Sequence, residues 1–216
     1  IIKGRRNIKH FLPKFVSWEN ISKIIDAARH APSSGNIQNW KFIVILEPDI
    51  KQSVAAASLD QYEITQAGAL IVVCAEIEKA ERYYGLRGER LYSVQNCAAA
   101  AQNMLLEAHS LCLGGAWIGA FDEDSLRSAC SIPSEIRPQA IIAIGYPRET
   151  PPKPPKYPLE TLVYFGGWRA KLRDPAKYMN DIAAILARKA QASKETVRRT
   201  VRDVIERTKD VVGKNE

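Results

Sequence analysis

Residues 91–113 read LYSVQNCAAAAQNMLLEAHSLCL, and this stretch decides the architecture. Val94, Cys97, Ala98, Ala101, Leu105, Ala108 and Cys112 recur at the spacing of an α-helix. Ala99, Ala100 and Met104 carry the apolar surface around much of the circumference. Such a helix is expected to be buried on nearly all sides, in the middle of a core or at a subunit interface. Gly114 and Gly115 are expected to end it.

Strands and helices alternate outward from this stretch. WKFIVIL (40–46) and ALIVVCA (69–75) are short apolar runs of the kind that form buried strands. Helical stretches are expected around 50–58 and 61–66. Ser17 is a good N-cap for a helix carrying Ile21, Ile24, Ile25 and Ala28, which ends before Pro32. Downstream, AWIGAF (116–121) reads as a short strand, Asp122 as the cap of a helix over 123–129, and QAIIAIG (139–145) as a last core strand. Five prolines in 150–158 forbid a helix or a ladder and favour an extended path. Residues 159–165 read as an edge strand, and 175–189 and 194–212 as two amphipathic helices, the second with Val197, Val201, Val204 and Ile205 on one face. The expectation is an α+β chain with a mixed central sheet flanked by helices: a main domain over 1–168 and a helical extension over 169–216.

With 216 residues, 46% of them hydrophobic and 25% charged, the chain has material for one well-buried core. Its apolar runs are far too short to span a bilayer. The sequence opens on Ile1-Ile2 with no basic-then-apolar leader, and Cys74, Cys97, Cys112 and Cys130 show no C-x-x-C spacing. Free thiols in a reducing cytoplasm are the expectation. His10, His30 and His109 show no zinc-ligand spacing with them. The net charge of +7 is lopsided: residues 1–168 hold 18 Lys/Arg against 17 Asp/Glu, and residues 169–216 hold 13 against 7. In that basic tail Arg198, Arg199 and Arg202 lack interleaved aromatics and are interrupted by Asp203 and Glu206. Solvated helices packed on a dimer are expected there rather than a nucleic-acid surface.

No nucleophile elbow, P-loop, H-E-x-x-H or G-x-G-x-x-G after a strand is present, so hydrolysis and phosphoryl transfer find no machinery. Three segments are instead polar where their neighbours are not. Arg5-Arg6-Asn7-Ile8-Lys9, as a helical turn, would set Arg5 and Lys9 on one side to grip a phosphate; the alternative is a solvated charge cluster. Ala31-Pro32-Ser33-Ser34-Gly35-Asn36-Ile37-Gln38-Asn39-Trp40 offers hydroxyls and amides suited to a heterocycle's polar edge, or to capping a helix-to-strand loop. The glycines of residues 114–121 permit close backbone approach to a flat ligand, or simply cap a helix before a core strand.

Together these segments resemble the nitroreductase-like flavoprotein family. The opening R-R-x-x-K is followed by A-P-S-S-x-N-x-Q-x-W, the long helix with Gln102-Asn103-Met104, then L-G-G-A-W-I-G-A-F, Ile144-Gly145-Tyr146-Pro147 and Lys156-x-Pro158-Leu159-Glu160, across residues 4–168. The resemblance implies a homodimer binding FMN. Arg5, Asn7 and Lys9, with Arg6 adjacent, would hold the phosphate and pyrimidine edge. Pro32, Ser33, Ser34, Asn36 and Gln38 would wrap the flavin, partly from the second subunit. Asp60 or Gln61 would reach the isoalloxazine, Trp117, Ile118 and Gly119 would lie under the ring, and Lys156 would be a late cation near the phosphate. Two positions depart from the family pattern: Asn7 stands where Ser is usual, and Asn39 where Pro usually follows the Gln.

The implied activity passes hydride from NADH or NADPH to a small electron-poor acceptor by a ping-pong mechanism, with no protein residue assigned as acid, base or nucleophile. A flavin carrier or sensor without turnover is the rival. Tyr83-Tyr84-Gly85-Leu86-Arg87-Gly88-Glu89-Arg90 is expected to cover the substrate, with aromatics to stack on a planar acceptor and Arg87 or Arg90 to pair with a nicotinamide phosphate.

Overall fold

The two innermost strands are apolar at nearly every position, so helices must cover both of their faces. The computed structural model, which describes residues 1–170, meets that demand. Strands β1 (Trp40–Ile45), β2 (Ala69–Glu76), β3 (Gly114–Ile118) and β4 (Ile136–Gly145) form one sheet in the order β1-β2-β4-β3. All three neighbouring pairs are antiparallel. Among the described residues, parallel pairing enters through an isolated bridge between Asn7 and Gly115. The class is therefore α+β, as expected.

Ala69, Ile71, Val73, Ile142 and Ile144 point to one face, where α1 (Trp18–Arg29) and α4 (Ser93–Ser110) cover them. Leu70, Val72, Cys74, Ile141 and Ala143 point to the other, under α2 (Pro48–Ala57) and α5 (Glu123–Cys130). Each fully buried Ile or Leu stabilises the fold by about 1.5–3 kcal/mol relative to exposure. The helix starts are capped as expected. Ser17 Oγ accepts from the Asn20 N–H at 3.3 Å, and Asp122 Oδ1 from the Ser125 N–H at 2.8 Å. Those Ser125 bonds hold the Asp122 carboxyl below the usual carboxylate range.

Several elements differ from the sequence reading. Helix α4 stops at Ser110, Cys112 takes a left-handed φ of 59°, and Gly114-Gly115 open β3 instead of ending the helix. A Cβ on Gly114 would lie 2.7 Å from Ile8, and one on Gly115 2.7 Å from Leu105, so these glycines serve close packing rather than capping. Within this chain α4 buries only part of its circumference: Val94, Gln95 and Gln102 are exposed. Helix α3 (Ile77–Arg87) and a π-helical turn (Gly88–Tyr92) precede it, with a kink at Gly85 (φ 55°, ψ −147°). The helical stretches expected around 50–58 and 61–66 are present, as α2 over Pro48–Ala57 and as a 3₁₀ turn over Tyr62–Gln66.

The chain divides into two units, Ile1–Lys153 and Pro154 onward. In the second, residues 159–165 form no strand. The Thr161 N–H and hydroxyl both donate to the Pro158 carbonyl, closing a 3₁₀ turn over Leu159–Thr161. The expected helices over 175–189 and 194–212 lie outside the described residues. No helix among the described residues is long and apolar enough to cross a membrane.

Burial pushes the Cys74 and Cys97 thiols up to about 12 and Cys130 to about 11, while Cys112 is exposed. The thiolate is the reactive species. At mildly alkaline pH a disulfide reagent should therefore label Cys112 fast, and Cys74 and Cys97 only on unfolding. Cys112→Ser should abolish the fast phase. Native-state labelling of Cys97 at the rate of Cys112 would contradict this packing.

Candidate functional site

In an extended chain, residues i, i+2 and i+4 share a side. Past Arg5 the amino-terminal strap pairs with β3 at Asn7 instead of forming the helical turn expected, and this is what sets Asn7 and Lys9 on one side. Ile8 faces the opposite way, 5% exposed, and packs on Gly114, while its N–H donates to the Gly115 carbonyl at 3.1 Å. Asn7 Oδ1 accepts from the Trp117 N–H at 3.4 Å, tying strap to strand by a side chain. Arg6 turns back on its own segment: Nη1 donates to the carbonyls of Lys3 (3.2 Å), Gly4 (2.8 Å) and Arg5 (3.0 Å). Arg5 is half-buried and donates to the Arg6 carbonyl at 3.3 Å.

Beside this strap a pocket of about 290 Å³ opens at the β3 edge, lined among others by Asn7, Lys9, Gln61, Trp117, Ile118 and Gly119. Trp117 is 38% exposed there, a large flat apolar surface left uncovered. Gln61 Nε2 donates to the Ser58 carbonyl at 2.7 Å and the Ala120 carbonyl at 3.4 Å, which fixes its amide at the rim. Between the two alternatives, Gln61 lines the pocket, and the Asp60 carboxylate accepts from the Tyr62 hydroxyl at 3.1 Å. Glu63 and Ile64 also line it. Neither was expected, because the 3₁₀ turn that brings them there has no motif.

The second polar segment lies elsewhere. Gly35, Asn36 and Gln38 take φ of 53°, 57° and 47°, so the Ser33–Gln38 loop coils tightly before β1. The Ser33 Oγ accepts from the Gln38 N–H at 3.1 Å, and Gln38 Nε2 donates to Asn36 Oδ1 at 3.0 Å. The Ser34 N–H donates to Asn96 Oδ1 at 3.0 Å. Pro32 leads into this loop after α1 has ended. It feeds β1, three strand spacings from β3, or about 14 Å in the hydrogen-bonding direction. The fold thus gathers Asn7, Lys9, Gln61, Trp117, Ile118 and Gly119 at one edge, and Pro32, Ser33, Ser34, Asn36 and Gln38 at the other. One chain does not bring the two groups together. Lys156 lies in the second unit, exposed and outside any helix or strand.

The aromatic segment lies against the Ser33–Gln38 loop. A Cβ at Gly35 would overlap the Tyr84 hydroxyl. Tyr84 meets Tyr92 edge-on at 5.2 Å, and Arg87 Nε donates to the Tyr92 hydroxyl at 3.0 Å. Sequence reasoning also missed the buried polar residues behind this loop: Asn39, Ser93 and Asn96. Their only signal was a polar residue directly ahead of a buried strand and two more in the first turn of the long helix, beside its apolar stripe. Chemically, the β3 edge offers donors, a cation and a flat apolar surface, an arrangement that holds a planar ring with a polar edge.

Known proteins share this arrangement of chain. The sequence profile of the Nitroreductase family matches residues 2–76 and 51–146. A provisionally named NADH dehydrogenase/NAD(P)H nitroreductase of Archaeoglobus fulgidus is 33% identical over 153 residues, covering 69% of this chain and 84% of that protein. An oxygen-insensitive NADPH nitroreductase of Salmonella typhimurium is 28% identical over 171 residues, covering 76% and 71%. The solved structure of an FMN-dependent nitroreductase from Clostridium difficile superposes with a TM-score of 0.67 at 25% identity, covering 77% of this chain and 97% of that one.

The strap depends on Gly114 having no side chain. Gly114→Ala is expected to lower unfolding free energy in urea by about 1–3 kcal/mol. It should also speed amide exchange at Ile8. Parent-like stability and exchange would show that the strap does not rest on β3.

Proposed function

This chain belongs to the nitroreductase family, and we propose that it is an FMN-dependent oxidoreductase passing hydride from NADH or NADPH to a small electron-poor acceptor such as a nitroaromatic or a quinone. The β3-edge pocket is the observation that supports this most directly. Asn7, Lys9 and Gln61 present amide and ammonium groups toward one cavity, as the pyrimidine edge of a flavin requires. Trp117 and Gly119 leave a flat approach, and Arg5 and Lys9 share a strap able to hold a phosphate.

The residues present fit half of such a site. At about 290 Å³ the pocket is at the lower limit of small-ligand clefts, and this reading adds a wall from a second chain. In the proposed homodimer the Pro32–Gln38 loop of the partner subunit supplies it, bringing the hydroxyls of Ser33 and Ser34 and the amides of Asn36 and Gln38. FMN, when bound, supplies the redox chemistry that no side chain here performs. The protein's part is to orient the ring, to exclude water, and to set Lys9 and the backbone near Gly119 where negative charge develops. Donor and acceptor use one opening in turn, so the oxidised nicotinamide leaves before the acceptor enters.

Reconstitution tests this directly. After incubation with FMN and desalting, the protein should retain about one flavin per chain and sediment at twice 24.1 kDa. Anaerobic NADH or NADPH should bleach the flavin, and initial rates against donor and acceptor should give parallel double-reciprocal lines. Arg5→Ala and Lys9→Met should each raise the FMN Kd by roughly 10- to 100-fold, the worth of one charge-assisted hydrogen bond. A colourless product sinks the assignment. A yellow protein that neither nicotinamide bleaches is a carrier or sensor instead.

A further inference from the structure

Behind the Ser33–Gln38 loop the chain buries a polar cluster that the pocket does not use. Asn39 and Ser93 are fully buried, and Asn96 is 3% exposed. They satisfy one another. Asn39 Nδ2 donates to Ser93 Oγ at 3.0 Å and to the Glu76 carbonyl at 3.3 Å, and Asn96 Nδ2 donates to Asn39 Oδ1 at 2.8 Å. Two arms leave this cluster. Asn96 Oδ1 accepts the Ser34 N–H at 3.0 Å, and Ser93 Oγ donates to the Gly88 carbonyl at 2.9 Å. One arm ends on the Ser33–Gln38 loop, the other on the π-helical turn before α4. The same segments meet again at the surface, where the Tyr84 hydroxyl rests over Gly35 and Tyr92 braces Tyr84.

Such a network has few alternative arrangements. The side chains of Asn39, Ser93 and Asn96 are desolvated, so a shift at one arm leaves a buried group unpaired unless the other arm follows. Asn39 is its only member bonded to both Ser93 and Asn96. An apolar side chain there could neither donate nor accept.

We propose that Asn39 is a positioning residue that couples the Ser33–Gln38 loop, through Asn96, to the Tyr84–Tyr92 segment, through Ser93, so that order in one sets order in the other. A planar aromatic acceptor lodged against Tyr84 thereby stiffens the loop that the proposed function places on the flavin. That consequence rests on the flavin assignment; the coupling itself does not.

Amide hydrogen exchange on the flavin-free protein isolates the coupling. Ser93→Ala removes the arm to Gly88 together with the bond from Asn39 Nδ2, and Asn96→Ala removes the arm to Ser34 together with the bond to Asn39 Oδ1. Crossed effects are expected. Ser93→Ala should speed exchange in residues 34–38 about tenfold, and Asn96→Ala should do the same in residues 88–92, because each leaves a buried partner unpaired. Asn39→Ala should loosen both segments, but the two single-arm variants decide the question even where Asn39→Ala fails to fold. Asn103→Ala removes a bond of similar length from the same helix, Asn103 Nδ2 to the Ala27 carbonyl at 3.0 Å, and should leave both segments at parent rates. If each single-arm variant loosens only its own end, the coupling is refuted. An FMN titration then separates the two claims. Ser93→Ala should weaken FMN binding about tenfold, the loosening of the loop being carried into affinity. Crossed exchange with an unchanged FMN Kd would remove the loop from the flavin site and leave the coupling standing.

Discussion

The pairing of β2 with β4 displaces the candidate chemistry of this chain to the rim of its sheet. The two strands run in register from Ala69 opposite Ile144 to Glu76 opposite Ile136, with one irregularity at Val73/Cys74. Alternate residues of both strands are buried on both faces, so helices occupy the space above and below. A polar ligand has no room on either face without leaving donors unpaired in an apolar layer. The edge strands are less closed: β1 exposes Lys41, and β3 exposes Trp117. The polar segments gather at those two edges.

The core was legible because its signal is local. ALIVVCA and QAIIAIG each lie within a strand of the fold, and the Ser17 and Asp122 caps needed only a short polar side chain ahead of a periodic run. What failed was what depends on a distant partner. Arg5 and Lys9 were set on one side by a helical period, whereas the strap runs along β3 because Gly115, more than a hundred residues away, offers Ile8 a carbonyl. Gly114 and Gly115 look like a helix stop from the left and like a packing concession from the right. Only the neighbouring Ile8 and Leu105 decide between them. The Ser33–Gln38 loop was recognised from its residue types, but Asn39 was marked only as a departure from pattern. Its partners Ser93 and Asn96 lie some 54 and 57 positions away.

The separation of the two polar groups is itself informative. In the proposed homodimer the loop would complete a site on the other subunit and get no support from the ligand until the subunits meet, so its shape must be held from within its own chain. The loop's backbone is costly, since non-glycine residues Asn36 and Gln38 both take positive φ. Each such residue is destabilised by about 1 kcal/mol or more. The bonds from Ser33 Oγ, from the Gln38 amide and from Asn96 offset that cost before any partner arrives. A two-fold axis would then present each prepared loop to the β3 edge of the other subunit, generating two equivalent sites from one interface. On this view the buried asparagines are not a relic in the core. In the proposed dimer they would let half a site keep its form before the other half arrives.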